Sequence, residues 1–502
     1  MAQAPLRCPL MLLTTLLILS FPFPSPYPSR VSVSSASTAA VGVNWGNNAS
    51  HPLPAHTVVQ LLKSNAITKL KLSDSNPAVL RALAGSNINV VVGVPNSMLE
   101  TLNSSLKATE SWVHDNVTRY VSGGGGGGVV RIEYIAVGDA PFLHGYGGRY
   151  VPFVIGAVIN IQKALIKANL AEEVKVVVPC SYDAFLSESG LPSKGHFRPD
   201  LNKTMIELLT FLTKHDSPFL ASISPFNLLQ QDKNITPSFS LFKETATKPV
   251  NDTHRLYTNS FDLIYDTLVT AITSVGFPRI DIMIGEIGWP TDGAVYATPS
   301  NARNFVRGLL EHLLSKAGTP LRPHQPPKEV YILSLLDEDQ RGIAYGSFER
   351  HWGLFTFDGQ AKYQLDLAGL SSQESLVNAQ NVEYLSARWC VADNSKDLTN
   401  ATASALDACS STDCSTLLSP GGSCFNLSWP ANVSYAFNCY YQQHDQSGDG
   451  CNFGGLGLIT TVDPSVDPCR FFVQIRNSEI VLQGYSIVLF SALGLVSFLN
   501  SV

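Results

Sequence analysis

The chain contains 502 residues and carries a formal net charge of −6 at pH 7. No run of basic residues interrupts this mild negative balance, which excludes nucleic acid as a partner. An uncharged substrate or ligand is expected.

The N-terminus has the features of an export signal. Residues 9–21 are almost entirely apolar, Arg7 is the only charge before them, and small residues follow at 36–40. This order predicts a secretory signal peptide over residues 1–40 and a mature chain that begins near Val41. Nine Asn-X-Ser/Thr sequons fit export and are candidate glycosylation sites: Asn48, Asn103, Asn116, Asn202, Asn234, Asn251, Asn400, Asn426 and Asn432.

Eight apolar runs typical of buried strands follow the signal, with helical stretches between them. They cover 41–45, 67–72, 88–94, 130–138, 174–179, 219–224, 280–286 and 330–336. Strands alternating with helices in this number predict an α/β fold, a (β/α)8 TIM barrel over residues 41–366. Six consecutive glycines, 123–128, precede the fourth run. A phosphate cradle needs a strand before it and a helix after it, so we expect a flexible loop there.

Glu286 is the first catalytic candidate. It ends the seventh apolar run, immediately before the turn Ile287 to Pro290. The carboxyl ends of the strands form the active site of a (β/α)8 barrel, so a carboxylate at this point is expected to take part in chemistry. A structural carboxylate paired with a neighbouring base is the alternative. Sugar-cleaving barrels need a second carboxyl group as well.

The cysteines mark a second domain. Cys180 stands alone in the predicted barrel, whereas seven cysteines fall between Cys390 and Cys469. Such density in an exported chain predicts a small, disulfide-rich domain over residues 389–471. Seven cysteines cannot all pair, and Cys439, inside an aromatic stretch, is our candidate for the odd one. The expected disulfide cysteines are Cys390, Cys409, Cys414, Cys424, Cys451 and Cys469, of which Cys409 and Cys414 are close enough in sequence to bridge each other.

The remaining segments are a linker and a tail. Residues 367–388 contain several Ser, Gln and Asn and form the candidate linker. The tail, 472–502, contains an apolar run long enough to cross a bilayer, with no Lys or Arg after it. We predict a glycosylphosphatidylinositol signal, with a transmembrane helix as the alternative. The candidate attachment residues are Asn477 and Ser478. No CxxC pair or His cluster suggests zinc, so neither a metal nor another cofactor is expected.

Several motifs of the large domain together resemble plant family 17 glycoside hydrolases, the endo-1,3-β-glucanases. They are GVNWG (42–46), VPNSML (94–99), GEIGWP (285–290), LLDEDQ (335–340) and FERHWGLFTFDG (348–359), in that order. The resemblance implies a (β/α)8 barrel and a 1,3-β-glucan substrate such as callose.

The small domain resembles the callose-binding module of carbohydrate-binding family 43. The resemblance is carried by WCVAD (389–393), ALDACS (405–410), DCSTLLSPGGSCF (413–425), SYAFNCYYQ (434–442), CNFGG (451–455) and DPSVDPCRF (464–471). Such modules bind 1,3-β-glucan, so aromatic residues here could stack on sugar faces. They could equally form the small core. The candidates are Trp389, Phe425, Tyr440, Tyr441 and Phe453.

Family 17 roles transfer unevenly to this chain. Glu286 matches the nucleophile of a retaining mechanism, which attacks the anomeric carbon and forms a covalent intermediate. The acid/base is expected as the Glu of an Asn-Glu pair after the fourth strand, and here that pair is Asp139-Ala140. Alanine cannot donate a proton. Asp139 is the possible substitute, because two neighbouring carboxylates raise one pKa and could leave one of them protonated.

Other positions of the resemblance concern the sugar. It implies substrate contacts for Asn44. For Trp289 it implies a stacking platform near the cleavage point, and a wall residue packed against the turn after the eighth strand is the alternative. Glu338 is expected to contact sugar, to hold the nucleophile or to form a structural salt bridge. Arg341 stands near where many members carry a lysine. After the sixth strand, Ser222 to Phe226 replace residues that usually include a sugar-stacking aromatic ring.

Two functional classes follow. The first is a retaining endo-1,3-β-glucosidase on the outer leaflet of the plasma membrane, facing the plant cell wall and weakened by Ala140. The second is a non-catalytic glucan-binding protein. Transglycosylation by Glu286 would also need an acid/base.

Overall fold

A computed structural model describes residues 40–123, 128–243, 249–367 and 375–476. The predicted signal peptide and the apolar tail, with Asn477 and Ser478, lie outside these residues, as does most of the glycine run. Across the described ranges, no helix combines the length and the apolar character needed to cross a membrane.

Eight parallel strands form the barrel predicted from the apolar runs. They are β1 (Ala40–Trp45), β2 (Lys69–Leu72), β3 (Asn89–Val94), β4 (Arg131–Val137), β5 (Lys175–Val177 with Pro179–Cys180), β6 (Phe219–Ser222), β7 (Ile282–Ile287) and β8 (Glu329–Ile332). The first part of β5 pairs with β4 and its second part with β6, which closes the ring. The (β/α)8 prediction is confirmed.

Helices surround the barrel and bury their apolar faces on the strands. In Val151–Lys167, for example, Val154, Val158, Ile161 and Leu165 are all fully buried, at the spacing of one helical face. The other α-helices of this part are Ala55–Ser64, Pro77–Leu83, Leu99–Ser104, Leu106–Val113, Arg119–Val121, Asn202–Lys214, Pro225–Gln231, Pro237–Ser240, Ser260–Ser274 and Pro299–Ser315. Short antiparallel ribbons pair Phe185–Leu186 with His196–Phe197 and Val250–Asp252 with Arg255–Tyr257.

The small domain, residues 389–471, is called the module below. Strands β9 (Trp389–Ala392) and β10 (Gly457–Thr460) pair antiparallel beside helices Ala401–Ser411, Ser415–Leu418 and Ala431–Gln443. Three disulfides hold it together: Cys390–Cys451, Cys409–Cys414 and Cys424–Cys469. Cys439 is buried and unpaired, as predicted.

The described part of the predicted linker, residues 375–388, is bonded to its surroundings and is called the strap below. Asn65 exchanges two hydrogen bonds with the backbone of Val377. Tyr384 donates to Asp358 at 2.8 Å, and Leu385 N donates to the carbonyl of Gln474. The strap therefore follows the barrel surface to the module and is not a free tether.

Candidate active site

A cavity of about 330 Å³ opens where the barrel strands end. Parallel strands present all their carboxyl ends at one edge, so residues distant in sequence meet there. Glu286 from the end of β7 and Asp139 after β4 both line this cavity, here called the cleft.

Glu286 is held by two donors. Lys71 Nζ lies 3.1 Å from Oε1, and Ser222 Oγ donates to Oε2 at 3.0 Å. β6 and β7 place Ser222 directly beside Glu286 in their register. Burial alone would raise the pKa of Glu286, but the charges of Lys71 and Arg341 and the two hydrogen bonds lower it below its ordinary value. Glu286 is therefore ionised, as a carboxylate nucleophile must be.

Asn44 and Lys71 form the support behind this carboxylate. The register of β1 and β2 places the two residues side by side, and Lys71 Nζ donates to Asn44 Oδ1 at 2.8 Å. The Asn44 amide nitrogen donates to the carbonyl of Gly285 at 2.9 Å. Both ends of this buried amide are therefore used by the protein. Asn44 thereby holds Lys71 beside Glu286. Asn44 also lines the cleft, and its substrate contact stays a prediction.

Asp139 is fixed through its backbone. Asn96 Oδ1 accepts from Asp139 N at 2.9 Å, and Asn96 Nδ2 donates to the Asp139 carbonyl at 2.7 Å. The carboxyl group is exposed to the cleft but enclosed by its walls. Desolvation there and the nearby charge of Glu286 raise the pKa of Asp139, only partly offset by Lys71 and Arg341. The pKa values of the two carboxyl groups are thus pushed apart, as an acid and a nucleophile require.

Ala140 occupies the expected acid position without supplying an acid. Its φ of +44° lies in the left-handed region, which is uncommon for a residue with a Cβ. Its carbonyl accepts a hydrogen bond from Leu143 N at 2.9 Å, which stabilises the turn. The methyl group still lines the cleft, so a longer side chain at this position would project toward the same space.

The loop after β8 adds a cation and two further carboxylates. Arg341 Nε lies 3.2 Å from Glu349, and its Nη1 lies 3.4 Å from Glu338. Glu338 also accepts from the backbone nitrogen of Asn48 at 2.9 Å. Glu338 is only 6% exposed, so these contacts favour the salt-bridge role over a sugar contact. A Cβ on Gly46 would lie 2.0 Å from Glu338 Oε1, so a larger residue at position 46 would displace the Glu338 carboxylate.

The position of Trp289 differs from the stacking platform expected from the sequence. The side chain is 1% exposed and packs edge-on against Phe226, with ring centroids 5.1 Å apart. Its indole nitrogen donates to the carbonyl of Tyr296 at 3.0 Å. The predicted stacking platform is wrong, because the turn after β7 directs this ring into the core. The aromatic rings that do line the cleft are Trp45, Tyr146, Tyr182, Tyr345 and Trp352.

The aromatic residues of the module divide into two groups. Trp389 and Tyr441 are buried in its core. Phe425 is 44% exposed, while Tyr440 and Phe453 are half-buried. Phe453 stacks on Phe437 with ring centroids 3.8 Å apart. Trp429, which sequence reasoning missed, is 56% exposed.

The remaining predicted sites stay predictions. Six sequon asparagines are exposed, Asn48, Asn202, Asn234, Asn251, Asn400 and Asn426, while Asn103, Asn116 and Asn432 are half-buried. Among the described residues, no cluster of His, Cys, Asp and Glu could hold a metal ion.

A (β/α)8 barrel whose cleft contains two coupled carboxyl groups has the form of a glycoside hydrolase. Comparison with known families agrees. Residues 41–367 match Glycosyl hydrolases family 17, and residues 388–458 match the X8 domain. The chain belongs to glycosyl hydrolase family 17 and carries an X8 domain.

Some similar proteins match this chain over most of its length, and others match only its barrel. Glucan endo-1,3-beta-glucosidase 9 of Arabidopsis thaliana is 61% identical over 446 residues, covering 89% of this chain and 91% of that one. Glucan endo-1,3-beta-glucosidase 5 of the same plant is 43% identical over 441 residues, covering 88% and 89%. Among solved structures, CJP38, a beta-1,3-glucanase and allergen of Cryptomeria japonica pollen, is 37% identical with a TM-score of 0.62. It covers 66% of this chain and 100% of that chain.

Proposed function

We propose that this protein is a retaining endo-1,3-β-glucosidase of callose-like glucan whose power to cleave polymer is reduced. The observation that carries the proposal is the arrangement of the two carboxyl groups in the cleft. Glu286 is held ionised by Lys71, while Asp139 lies where its pKa is raised. The names of the relatives supply the substrate class, since those proteins are glucan endo-1,3-beta-glucosidases.

The reaction divides the roles between these groups. Glu286 attacks the anomeric carbon, a bond forms between its carboxylate oxygen and that carbon, and the glycosidic bond breaks. Asp139 gives its proton to the leaving sugar oxygen. It then accepts a proton from the water that attacks the covalent intermediate, which frees Glu286. Lys71 and Ser222 hold the nucleophile in the required orientation throughout.

Ala140 explains the reduced power. Proton transfer from a well-placed acid contributes roughly 10²–10⁴-fold to rate. The neighbouring residue Asp139 has a shorter side chain than the expected Glu, and its backbone is fixed by Asn96. Asp139 is therefore a poorly placed donor, and a leaving group that needs protonation departs slowly. A leaving group that is stable as an anion does not depend on the donor.

The proposed setting follows from the sequence. The predicted export signal, the sequons and the predicted lipid-attachment signal support a setting on the outer leaflet of the plasma membrane, facing the cell wall. The exposed rings of the module, Phe425 and Trp429, are available for contact with wall glucan.

The test compares two substrates of the same enzyme. We expect an aryl laminarioside with an activated phenol leaving group to react readily, and linear 1,3-β-glucan to be cleaved slowly. Azide should raise turnover of the aryl substrate by replacing the missing carboxylate and should yield a β-glycosyl azide. Glu286→Gln, which keeps the size of the side chain, should abolish both reactions.

Asp139→Asn separates the roles within the cleft. We expect it to remove the remaining polymer cleavage, because protonated Asp139 is the active form and sets the alkaline limb of the wild-type profile on polymer. The first step on the aryl substrate should persist. Polymer cleavage unchanged in Asp139→Asn would contradict the role of Asp139.

A non-catalytic glucan-binding protein is the second candidate, favoured by Ala140 itself. This candidate predicts retention on a glucan column with no turnover of either substrate and no azide product. Turnover of the aryl substrate that disappears in Glu286→Gln would exclude it.

A further inference from the structure

We propose that the module positions Arg341 in the cleft through Arg350, which makes Asp413 and Arg350 positioning residues for the reaction. The inference rests on the function proposed above, in which Glu286 and Asp139 react and Arg341 lies beside them.

Arg350 is the link between the two parts of the chain. Its Nη1 lies 3.0 Å from Asp413 of the module, and its Nε donates to the carbonyl of Arg341 at 2.9 Å. The Arg350 carbonyl accepts from Glu338 N at 3.3 Å. Arg350 and Asp413 are only 16% and 19% exposed, so this contact is shielded from bulk water. A planar guanidinium can direct two donors to fixed points at once, which a lysine ammonium on its flexible stem does less well.

Arg341 connects Arg350 to the cleft, because its backbone contacts Arg350 and its side chain lies beside the carboxyl groups of the cleft. Its guanidinium is faced by Glu338 and Glu349 of its own loop, by Glu286 at the end of β7 and by Asp139 after β4. The charge of Arg341 lowers the pKa of both Glu286 and Asp139 from the values that burial alone would give. A small displacement of Arg341 would therefore change the ionisation of both reacting groups.

Other contacts hold the module against the same two loops. His351, next to Arg350, lies 2.7 Å from Ser415 Oγ of the module and 3.9 Å from Asp337. After β7, Asp292 accepts from Ser423 N at 2.8 Å. The Cα of Gly421 leaves no room for a Cβ, which would lie 2.5 Å from Ala294 of that loop. The module thus contacts the loop that carries Arg341 and the loop that follows Glu286.

Two substitutions test the link in the full-length protein. Asp413→Asn removes the charge facing Arg350 but keeps an oxygen that can accept from Ser415 N, as Asp413 does at 2.9 Å. Arg350→Lys keeps the positive charge but loses the planar fork. Asp413→Glu is the conservative variant that should restore the wild-type behaviour. Asp445→Asn is the matched control, because Asp445 contacts His51 of the barrel at 3.2 Å, across the same interface but outside this link.

The first measurement is the pH profile on the aryl laminarioside. In Asp413→Asn and Arg350→Lys we expect the acid limb, which Glu286 sets, to move to higher pH by roughly half a unit or more, because a less well-fixed Arg341 lowers the pKa of Glu286 less. The alkaline limb, which Asp139 sets, is read on linear 1,3-β-glucan and should move in the same direction for the same reason. kcat should fall about 3- to 10-fold while KM stays nearly constant. Asp445→Asn should leave the profile unchanged. A profile unchanged in both test variants, or shifted equally by Asp445→Asn, would overturn the proposal.

The second measurement needs no turnover. Hydrogen exchange of the loop 338–352 should become faster in Asp413→Asn and Arg350→Lys, and Asp445→Asn should not affect it. If the wild type is inactive, the proposed function fails and this exchange measurement still decides whether the module orders the loop. Unchanged exchange in both test variants would reject the link even in an active enzyme.

Discussion

The two sides of the cleft differ in how many side chains support the candidate catalytic carboxyl group. On the β7 side, Glu286 has a buried lysine, a serine hydroxyl and a supporting amide, all from strands of the barrel wall. On the β4 side, Asp139 is fixed only through its backbone, and Ala140 follows in a left-handed conformation. In the proposed mechanism, the formation of the covalent intermediate and the protonation of the leaving group are therefore separable, since they depend on residues of different strands.

The largest effect should come from adding a carboxylic acid on the β4 side of the cleft. Ala140→Glu places a carboxylic acid at the position that the family uses, on a backbone that already tolerates a Cβ at φ of +44°. We expect linear 1,3-β-glucan to be cleaved roughly 10²–10⁴-fold faster, with little change in the first step on the aryl substrate. Reducing-end release measures the first and phenol release the second. Ala140→Gln, of the same size but without an acid, is the control and should gain nothing.

Removing the lysine beside Glu286, on the β7 side of the cleft, should have the next largest effect. Lys71→Met removes the cation 3.1 Å from Glu286, so burial then raises the pKa of the nucleophile. We expect the acid limb on the aryl substrate to move up by about one unit or more, with a loss of roughly 10- to 100-fold below it.

Lys69→Met is the comparison for this effect. Lys69 is on the same strand and pairs with Glu133 and Glu329, away from the cleft. It should lower the unfolding temperature without moving the acid limb. An equal movement of the acid limb in both variants would show that the effect of Lys71 is a general loss of packing.

Asn96→Ala should affect the β4 side alone. It removes both hydrogen bonds that fix the backbone of Asp139, of 2.9 and 2.7 Å. At about 1 kcal/mol each, their loss should slow polymer cleavage roughly 10- to 30-fold. The first step on the aryl substrate should stay within twofold. A parallel loss on both substrates would mean that Asn96 supports the whole cleft.

The smallest effect is expected for Ser222→Ala. The substitution removes one 3.0 Å hydrogen bond to Glu286 while Lys71 remains. We expect about a fivefold fall in kcat/KM on both substrates, equivalent to about 1 kcal/mol. A loss as large as that of Lys71→Met would show that the hydroxyl of Ser222 contributes as much to the reaction as the cation of Lys71.

Much of the fold could be predicted from the sequence because strands of a parallel barrel are buried on both faces. They therefore appear as continuous apolar runs, and all eight were found. Glu286 was found for the same reason, as a charge that interrupts such a run. Lys71 interrupts another run, and its place in the site was not predicted. Alternating lysines in a buried strand do indicate buried charges that need partners.

The rest of the site depends on contacts between distant segments. Lys71 and Glu286 are 215 positions apart, and Asn96 and Asp139 are 43 apart. The raised pKa of Asp139 was foreseen as a possibility, but the opposing charge of Arg341, which a loop brings into the cleft, was not. The placement of Trp289 was wrong because an aromatic residue after a strand can turn toward either the cleft or the core, and composition does not decide which.

The strap has a consequence for long polysaccharides. A flexible tether lets a binding domain search a volume, so the second contact is made at whatever distance the polymer offers. Here Asn65, Asp358 and Gln474, which follows the module, hold residues 375–388 in place. A glucan that touches both the cleft and the exposed rings of the module must therefore span one fixed distance in one direction. Oligosaccharides shorter than that span cannot contact the module and the cleft together, so the module does not increase their affinity. The protein would therefore select glucans by their chain length.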